Sequence, residues 1–423
     1  MSLNYDPDGV SAIANWMRNA EADVTRCLSR GGVFCVELRD RSAARDCLTD
    51  ARVRAIWARV KDEFGGMPGL GFLGTQRAFA VTDDESHWAS LAATVVEAAI
   101  ANGVQAQDIG VGVGFARMEQ RGQPTADILR LATSAASHAS DAGIGFASRS
   151  LAEEERMRRA SLIRQSLTAA LCGKEGLRLI FQPKVDAVSS AVMGAEALLR
   201  FDCPEFGAIP TMELLDIAEA SGELESLDRW ALGLAVEALH GLCAQGHDAL
   251  PISVNIRGET AFKRGFVEFV SSTLTTFGVA PSLLRIEIRE ADAMGDVERA
   301  AVCTQALSLI GVTTALDGFG SSSSTLPELS KFNVQALKLD PVVVREMMVD
   351  SKFAQLAQGM LHLARVLQME TVAVGIETEE QREYMRDAGC TSLQGFLFYR
   401  PMELDELLRL VQNGESQAPY LAK

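Results

Sequence analysis

The chain has 423 residues, 48% of them apolar and 23% charged, which excludes a disordered chain, a collagen and a small disulfide scaffold and suits two or three domains. Lys plus Arg number 40 against 56 Asp plus Glu, a formal net charge of −16. So acidic a chain lacks the basic footprint of a nucleic-acid or anionic-membrane binder, and an anionic ligand would need local cations or a metal. No run approaches about 18 consecutive apolar residues, so no membrane segment is predicted. The opening Met1-Ser2-Leu3-Asn4-Tyr5-Asp6 lacks the charged-then-apolar pattern of a secretory signal. Eight scattered cysteines without a Cys-x-x-Cys pair read as reduced thiols in a cytoplasmic protein.

In chain order, residues 32–40 (GVFCVELRD) read as a buried strand and 43–64 as a long amphipathic helix. Residues 72–81 read as a hairpin, 86–102 as a second helix, 109–118 (IGVGVGFARM) as a strand and 125–142 as a third helix. A strand over 143–148 completes a small α+β domain spanning 1–150. Residues 151–170 carry Glu153-Glu154-Glu155-Arg156-Met157-Arg158-Arg159 without Gly or Pro, the mark of a charged connecting helix.

Over 171–415 the pattern becomes regular. Short apolar runs recur at 178–186, 192–201, 252–256, 283–290, 313–319, 336–340, 371–376 and 393–398. Helical patterns such as 226–244, 261–277, 297–310 and 352–367 lie between them. Strands alternating with helices in this number predict an α/β fold, a (β/α)₈ barrel. Residues 187–191 alone separate the first two runs, whereas a parallel crossover needs about a dozen or more. The first strand is therefore predicted to pair antiparallel with the second.

Such barrels gather their chemistry at the carboxyl ends of the strands. At or near those ends stand Glu196, Asn255, Glu287, Glu290, Asp317, Lys338, Asp340, Glu377 and Gln394. A polar group on nearly every strand exceeds what a packed core needs. Two Glu, one Asp and one Asn suit a hard cation, Mg²⁺ or Mn²⁺.

At these residues the chain resembles the EAL domain family of cyclic di-GMP phosphodiesterases. The signature stands as Glu196-Ala197-Leu198-Leu199-Arg200-Phe201, preceded by Phe181-Gln182-Pro183. Ser253-Val254-Asn255-Ile256, Glu287-Ile288-Arg289-Glu290, Asp317-Gly318-Phe319-Gly320, Leu337-Lys338-Leu339-Asp340, Val374-Gly375-Ile376-Glu377 and Gln394-Gly395-Phe396 follow in family order. The resemblance implies two-metal hydrolysis, in which paired cations hold the phosphate and generate a hydroxide. It implies that Glu196, Asn255, Glu287 and Asp317 match the ligands of the first metal and Lys338 the lysine near the water. Gln182, Leu198 and Arg200 match positions that hold the dinucleotide, and Asp340, Glu377 and Gln394 are candidates for the same ligand.

Four departures concern the second metal or its loop. The family's Asp-Asp-Phe-Gly stands as Asp317-Gly318-Phe319-Gly320, and the first glutamate of Ala-Glu-Gly-Val-Glu is Val374. The loop that usually reads Thr-Gly-Tyr-Ser-Ser-Leu is Ser321-Ser322-Ser323-Ser324-Thr325-Leu326, and Arg289 replaces a threonine. Neither Gly318 nor Val374 can coordinate a metal through its side chain. Losing a metal's several kcal/mol of transition-state stabilisation costs roughly a thousandfold in rate, so little or no phosphodiesterase activity is expected.

The first domain resembles, more weakly, the diguanylate cyclase (GGDEF) domain. Ile109–Gly114 looks like that fold's strand before its last long helix, and Ala126–Ala132 looks like the helix. The signature hairpin, Gly-Gly-Asp/Glu-Glu-Phe in cyclases, is Thr75-Gln76-Arg77-Ala78-Phe79, so no cyclase activity is expected. Gly69-Leu70-Gly71-Phe72-Leu73-Gly74 matches a dinucleotide pattern but follows a helix and enters a strand, the reverse of the Rossmann context.

Together these readings imply an inactive EAL-type protein that binds cyclic di-GMP and signals through a protein partner, with one metal at most. A nucleotide-independent scaffold and a weak metal-dependent phosphodiesterase are the alternatives. The acids Glu196, Glu287 and Asp317, unless neutralised, would repel a dianionic ligand, so binding is expected to strengthen with Mg²⁺ or Mn²⁺.

Overall fold

A computed structural model of the protein describes residues 32–41, 47–64, 71–73, 76–82, 88–117, 125–142, 146–173, 175–247, 250–320 and 326–412. Contacts divide the chain into two compact units, Met1–Ala160 and Ser161–Lys423. The division falls inside the helix Leu151–Leu171, the segment whose charge run marks it as a connector.

The first unit has five strands: β1 (Gly32–Asp40), β2 (Gly71–Leu73), β3 (Arg77–Thr82), β4 (Ile109–Arg117) and β5 (Phe146–Arg149). Their order is β2-β3-β1-β4-β5, with β1 central. Alternation explains why β1 reads as one unbroken apolar run. Phe34, Val36 and Leu38 face Ile56, Trp57 and Val95 from two helices, whereas Val33 and Cys35 face Ile128, Leu131 and Ala132 of the helix Thr125–Ala142. The dinucleotide-like glycine run supplies β2 through Gly71–Leu73, and its Gly69, Leu70 and Gly74 lie outside the described residues.

The alternate glycines of β4 have a packing cause. A Cβ at Gly112 would stand 2.1 Å from the Ala136 carbonyl oxygen, and one at Gly114 would stand 2.1 Å from that of Ala132. The helix backbone lies directly on the strand there.

The second unit contains β6 (Leu177–Asp186), β7 (Val192–Cys203), β8 (Gly207–Ile209), β9 (Ile252–Asn255), β10 (Leu284–Arg289), β11 (Thr313–Phe319), β12 (Ala336–Leu339), β13 (Glu370–Val374) and β14 (Ser392–Gln394). Eight close a barrel in the order β6-β7-β9-β10-β11-β12-β13-β14, while β8 hangs on β7 outside it. As the five-residue connection requires, β6 runs antiparallel to β7, and also to β14. The remaining barrel contacts are parallel. Strand β8 has no counterpart in the sequence reading, being too short for a periodic signal. Helix Leu224–Ala244 shows how the shell is packed: Leu227, Ala231, Leu232, Ala235, Leu239 and Leu242 recur at three- and four-residue spacing and are buried.

Filling the tight contact on β4 should be costly. Gly114→Val is expected to destabilise the first unit by about 2–3 kcal/mol, read as a lower unfolding midpoint and earlier proteolytic cleavage within Met1–Ala160. An unchanged midpoint would contradict the close helix–strand approach.

Candidate functional site

Inside the barrel, polar side chains from seven strands meet. Glu196 (β7) accepts a hydrogen bond from Asn255 Nδ2 (β9) at 2.6 Å and another from Gln394 Nε2 (β14) at 2.9 Å. Gln394 Nε2 also donates to Gln182 Oε1 (β6) at 3.2 Å, and Gln182 Nε2 donates to the Tyr399 carbonyl at 3.2 Å. Gln394 Oε1 is buried without a partner. The Lys338 ammonium (β12) lies 3.1 Å from Glu196 Oε1 and 3.2 Å from Asp317 Oδ1 (β11), and it also bonds Glu287 Oε2 (β10). The predicted metal ligands thus come together, around a lysine.

The sequence reading missed Lys184. It reaches Glu287 Oε1 at 2.7 Å and Ser253 Oγ at 2.6 Å, so each oxygen of the buried Glu287 carboxylate is held by a different ammonium. A signal existed: Lys184 follows Gln182 by two, on the same face of a strand that is otherwise largely apolar. Burial alone would raise the Glu287 pKa, but Lys184 and Lys338 override it and hold the carboxyl well below its usual range. For Lys338, burial opposes the charge, yet Glu196, Glu287 and Asp317 outweigh it and keep the group a firm cation. Burial pushes Lys184 down and Asp317 up, in each case more than nearby opposite charge compensates.

Above this cluster a cavity of about 300 Å³ opens, lined among others by Leu198, Arg200, Asn255, Arg257, Glu287 and Asp317. Glu196, Leu198 and Arg200 alternate along β7, so the inward-facing row continues from the cluster into the cavity wall. Arg200 donates to the Leu199 carbonyl at 2.7 Å. Burial and the neighbouring Arg178 both lower its pKa. Arg257 is a second residue the sequence reading missed. Two other candidates stand apart: Asp340 caps the helix Pro341–Glu346 by accepting from Val342 N at 2.7 Å, and Glu377 is exposed at the end of the segment after β13.

The structure gives physical form to the departures. Gly318 has φ +72° beside a register shift between Leu316 and Phe319, so an L side chain there is strained. Val374 ends β13 opposite Gln394. Glu290 is buried and accepts from Gly320 N at 3.1 Å, bracing the start of the loop. Arg289, which also lines the cavity, is held in a two-point pair with Asp292, at 2.6 and 3.2 Å. The serine run, Ser321–Thr325, lies outside the described residues.

The donors suit one hard cation, because three carboxylates share a single positive centre with Asn255 alongside. Among the described residues no three His, Cys, Asp or Glu are grouped to hold a metal as they stand. A cation would have to displace the Lys338 ammonium. Gly318 and Val374, the positions that the resemblance assigns to a second one, carry no ligating side chain.

Comparison with known proteins agrees with this geometry. The chain is 32% identical over 308 residues to the bifunctional diguanylate cyclase/cyclic di-GMP phosphodiesterase MucR of Pseudomonas aeruginosa, covering 72% of this chain and 44% of that one. It is 30% identical over 236 residues to the cyclic di-GMP phosphodiesterase NbdA of the same organism, covering 55% and 30%. The chain thus spans less than half the length of either relative. Among solved structures, the MucR phosphodiesterase in complex with cyclic di-GMP aligns with TM-score 0.55 and 34% identity over 58% of this chain and 97% of that one. The EAL domain of FimX from Pseudomonas aeruginosa aligns with TM-score 0.53 at 22% identity over 61% and 99%, a likeness of fold. Residues 164–401 match the EAL domain, and the chain belongs to the EAL domain family.

Proposed function

We propose that the protein binds cyclic di-GMP at the barrel mouth without appreciable hydrolysis and acts as a signalling receptor through a protein partner. The observation that carries this reading is a division within the site. Leu198, Arg200 and Asn255 line a preformed cavity, whereas positions 318 and 374 carry no metal-binding side chain. MucR, whose EAL structure holds cyclic di-GMP, supplies the ligand by similarity.

Charge favours the ligand more than the sequence alone implies. The three carboxylates are offset by two buried ammonium groups, leaving one formal negative charge in place of three. Arg200, above them, has no ion pair among the described residues and can offer paired donors to a phosphodiester. Glu196, Asn255, Glu287 and Asp317 would hold a single Mg²⁺ or Mn²⁺. When bound it would neutralise phosphate charge and acidify a water. Gln182 and Gln394 orient Glu196, and Lys338 holds its proton firmly, so it does not serve as a base.

The proposal extends to the first unit as a cyclase-like domain without cyclase activity. The MucR match, 308 residues long, exceeds everything after Ala160 and so includes part of this unit. In its hairpin Arg77 bonds Glu37 at 2.7 Å, and Glu37 also accepts from Ser137 at 2.7 Å. A guanidinium thus satisfies the buried acid, internally.

Calorimetric titration of cyclic di-GMP, with the nucleotide recovered afterwards, tests the function. A saturable isotherm and intact nucleotide are expected. Arg200→Ala should weaken binding about ten- to a hundredfold, the worth of a charge-assisted contact. Absence of heat with the wild type would favour the scaffold, and recovered linear dinucleotide would establish a phosphodiesterase.

Because the lysines already offset most of the acid charge, replacing Mg²⁺ by a chelator should change the affinity less than about tenfold. A larger loss would show that a metal is part of the binding site.

The double variant Gly318→Asp, Val374→Glu is expected to gain at least about tenfold in Mn²⁺-dependent hydrolysis, measured as linear dinucleotide released. The left-handed backbone at 318 taxes the aspartate by about 1 kcal/mol. No gain would place the dominant defect in the serine loop.

A further inference from the structure

The cavity above the acid cluster contains a cation that none of the site's chemistry uses. Arg257 lies two residues beyond Asn255, is 9% exposed and lines the cavity. Its Nε is buried without a hydrogen-bond partner, and no carboxylate among the described residues pairs with its guanidinium. The nearby acid, Asp228, accepts instead from the Arg257 backbone N–H at 3.3 Å. Burial pushes the Asp228 carboxyl up to about 7, so it is an incomplete counter-charge. A guanidinium stays charged at any ordinary pH, and burying one unpaired is strongly unfavourable. Such a group calls for an anion from outside.

Its neighbour on the next strand is Arg200. Strands β7 and β9 are parallel with Ala197 opposite Val254, and Arg200 and Arg257 each lie three residues further on. Both line the same cavity. Arg289 is different, since Asp292 already holds it at two points.

We propose that Arg257 forms, with Arg200, a two-guanidinium seat for a phosphodiester anion of the ligand, which makes Arg257 a binding residue of this chain. The inference rests on the proposed function for the identity of the ligand as a cyclic dinucleotide. The planar fork of each guanidinium matches the two free oxygens of a phosphodiester, which an ammonium cannot do.

The test uses the full chain, with cyclic di-GMP titrated into the wild type, Arg257→Gln and Arg257→Lys at two salt concentrations. Unfolding midpoints are measured on the same proteins without nucleotide. Arg257→Gln is expected to weaken binding about ten- to a hundredfold and to flatten its salt dependence, with Arg257→Lys in between. The ligand-free midpoint of the Gln variant should equal or exceed that of the wild type, because an incompletely compensated buried charge has been removed. Wild-type affinity in the Gln variant would overturn the proposal. So would a binding loss accompanied by a midpoint several degrees lower, which would make Arg257 structural. If the wild type takes no dinucleotide, the proposed function fails and the seat is tested by inorganic sulfate. Stabilisation of the wild type by sulfate that is absent in Arg257→Gln would uphold the anion seat, and stabilisation of neither would overturn it.

Discussion

The Glu287 carboxylate, buried between two ammonium groups, is the interaction on which the rest of the site depends. One oxygen takes Lys184 and the other takes Lys338. Lys338 in turn ties Glu196 and Asp317 to the same point. None of these charges is individually comfortable in the barrel. Removing one partner from such a buried set typically costs about 3–5 kcal/mol, because the remaining charge is left uncompensated. The set therefore holds β7, β10, β11 and β12 in one arrangement, and β7, β10 and β11 each contribute to the cavity wall.

The reversed first strand makes this network possible. Because β6 runs against its neighbours, Gln182 lies opposite Glu196 in the pairing, while Lys184 lies two residues further along the same face. One strand thus supplies an amide oxygen to Gln394, which in turn donates to Glu196, and an ammonium to Glu287. In an all-parallel barrel, a strand's inward residues run toward the mouth in the same sense as those of its neighbours. Here the sense is opposite, so a residue later in β6 comes to support the cluster from within.

Much of this was legible in the residues. The eight apolar runs gave the barrel, and the short connection over 187–191 gave its antiparallel strand. Glu196, Asn255, Glu287, Asp317, Lys338 and Gln394 do meet in space. What escaped is physical in kind. Lys184 sits inside a strand, where a lone lysine reads as an edge or surface group unless its partner is known. Arg257 follows a strand end, and only the closed barrel shows that it lines a cavity. Asp340 and Glu377 looked like site acids by position along the chain. A helix cap claims the first, and the second is exposed. The repulsion expected of an empty acid cluster also ignored Lys184, which lowers the net charge.

The order of strands around the barrel sets the residues of the proposed binding apart from the two positions that lack metal-binding side chains. Gln394, Gln182, Arg200 and Asn255 come from β14, β6, β7 and β9, one continuous arc. Gly318 and Val374 come from β11 and β13 in the remaining arc, with the Lys338 strand β12 between them and Val374 directly beside Gln394. Side chains for a second metal are thus missing from one arc while the other keeps its hydrogen-bonded frame. Glu287 comes from β10, where the arcs meet, and its pairing with Lys338 does not require anything at 318 or 374. The network beside the cavity can therefore persist without side chains at 318 and 374, in keeping with the binding without hydrolysis proposed for this barrel.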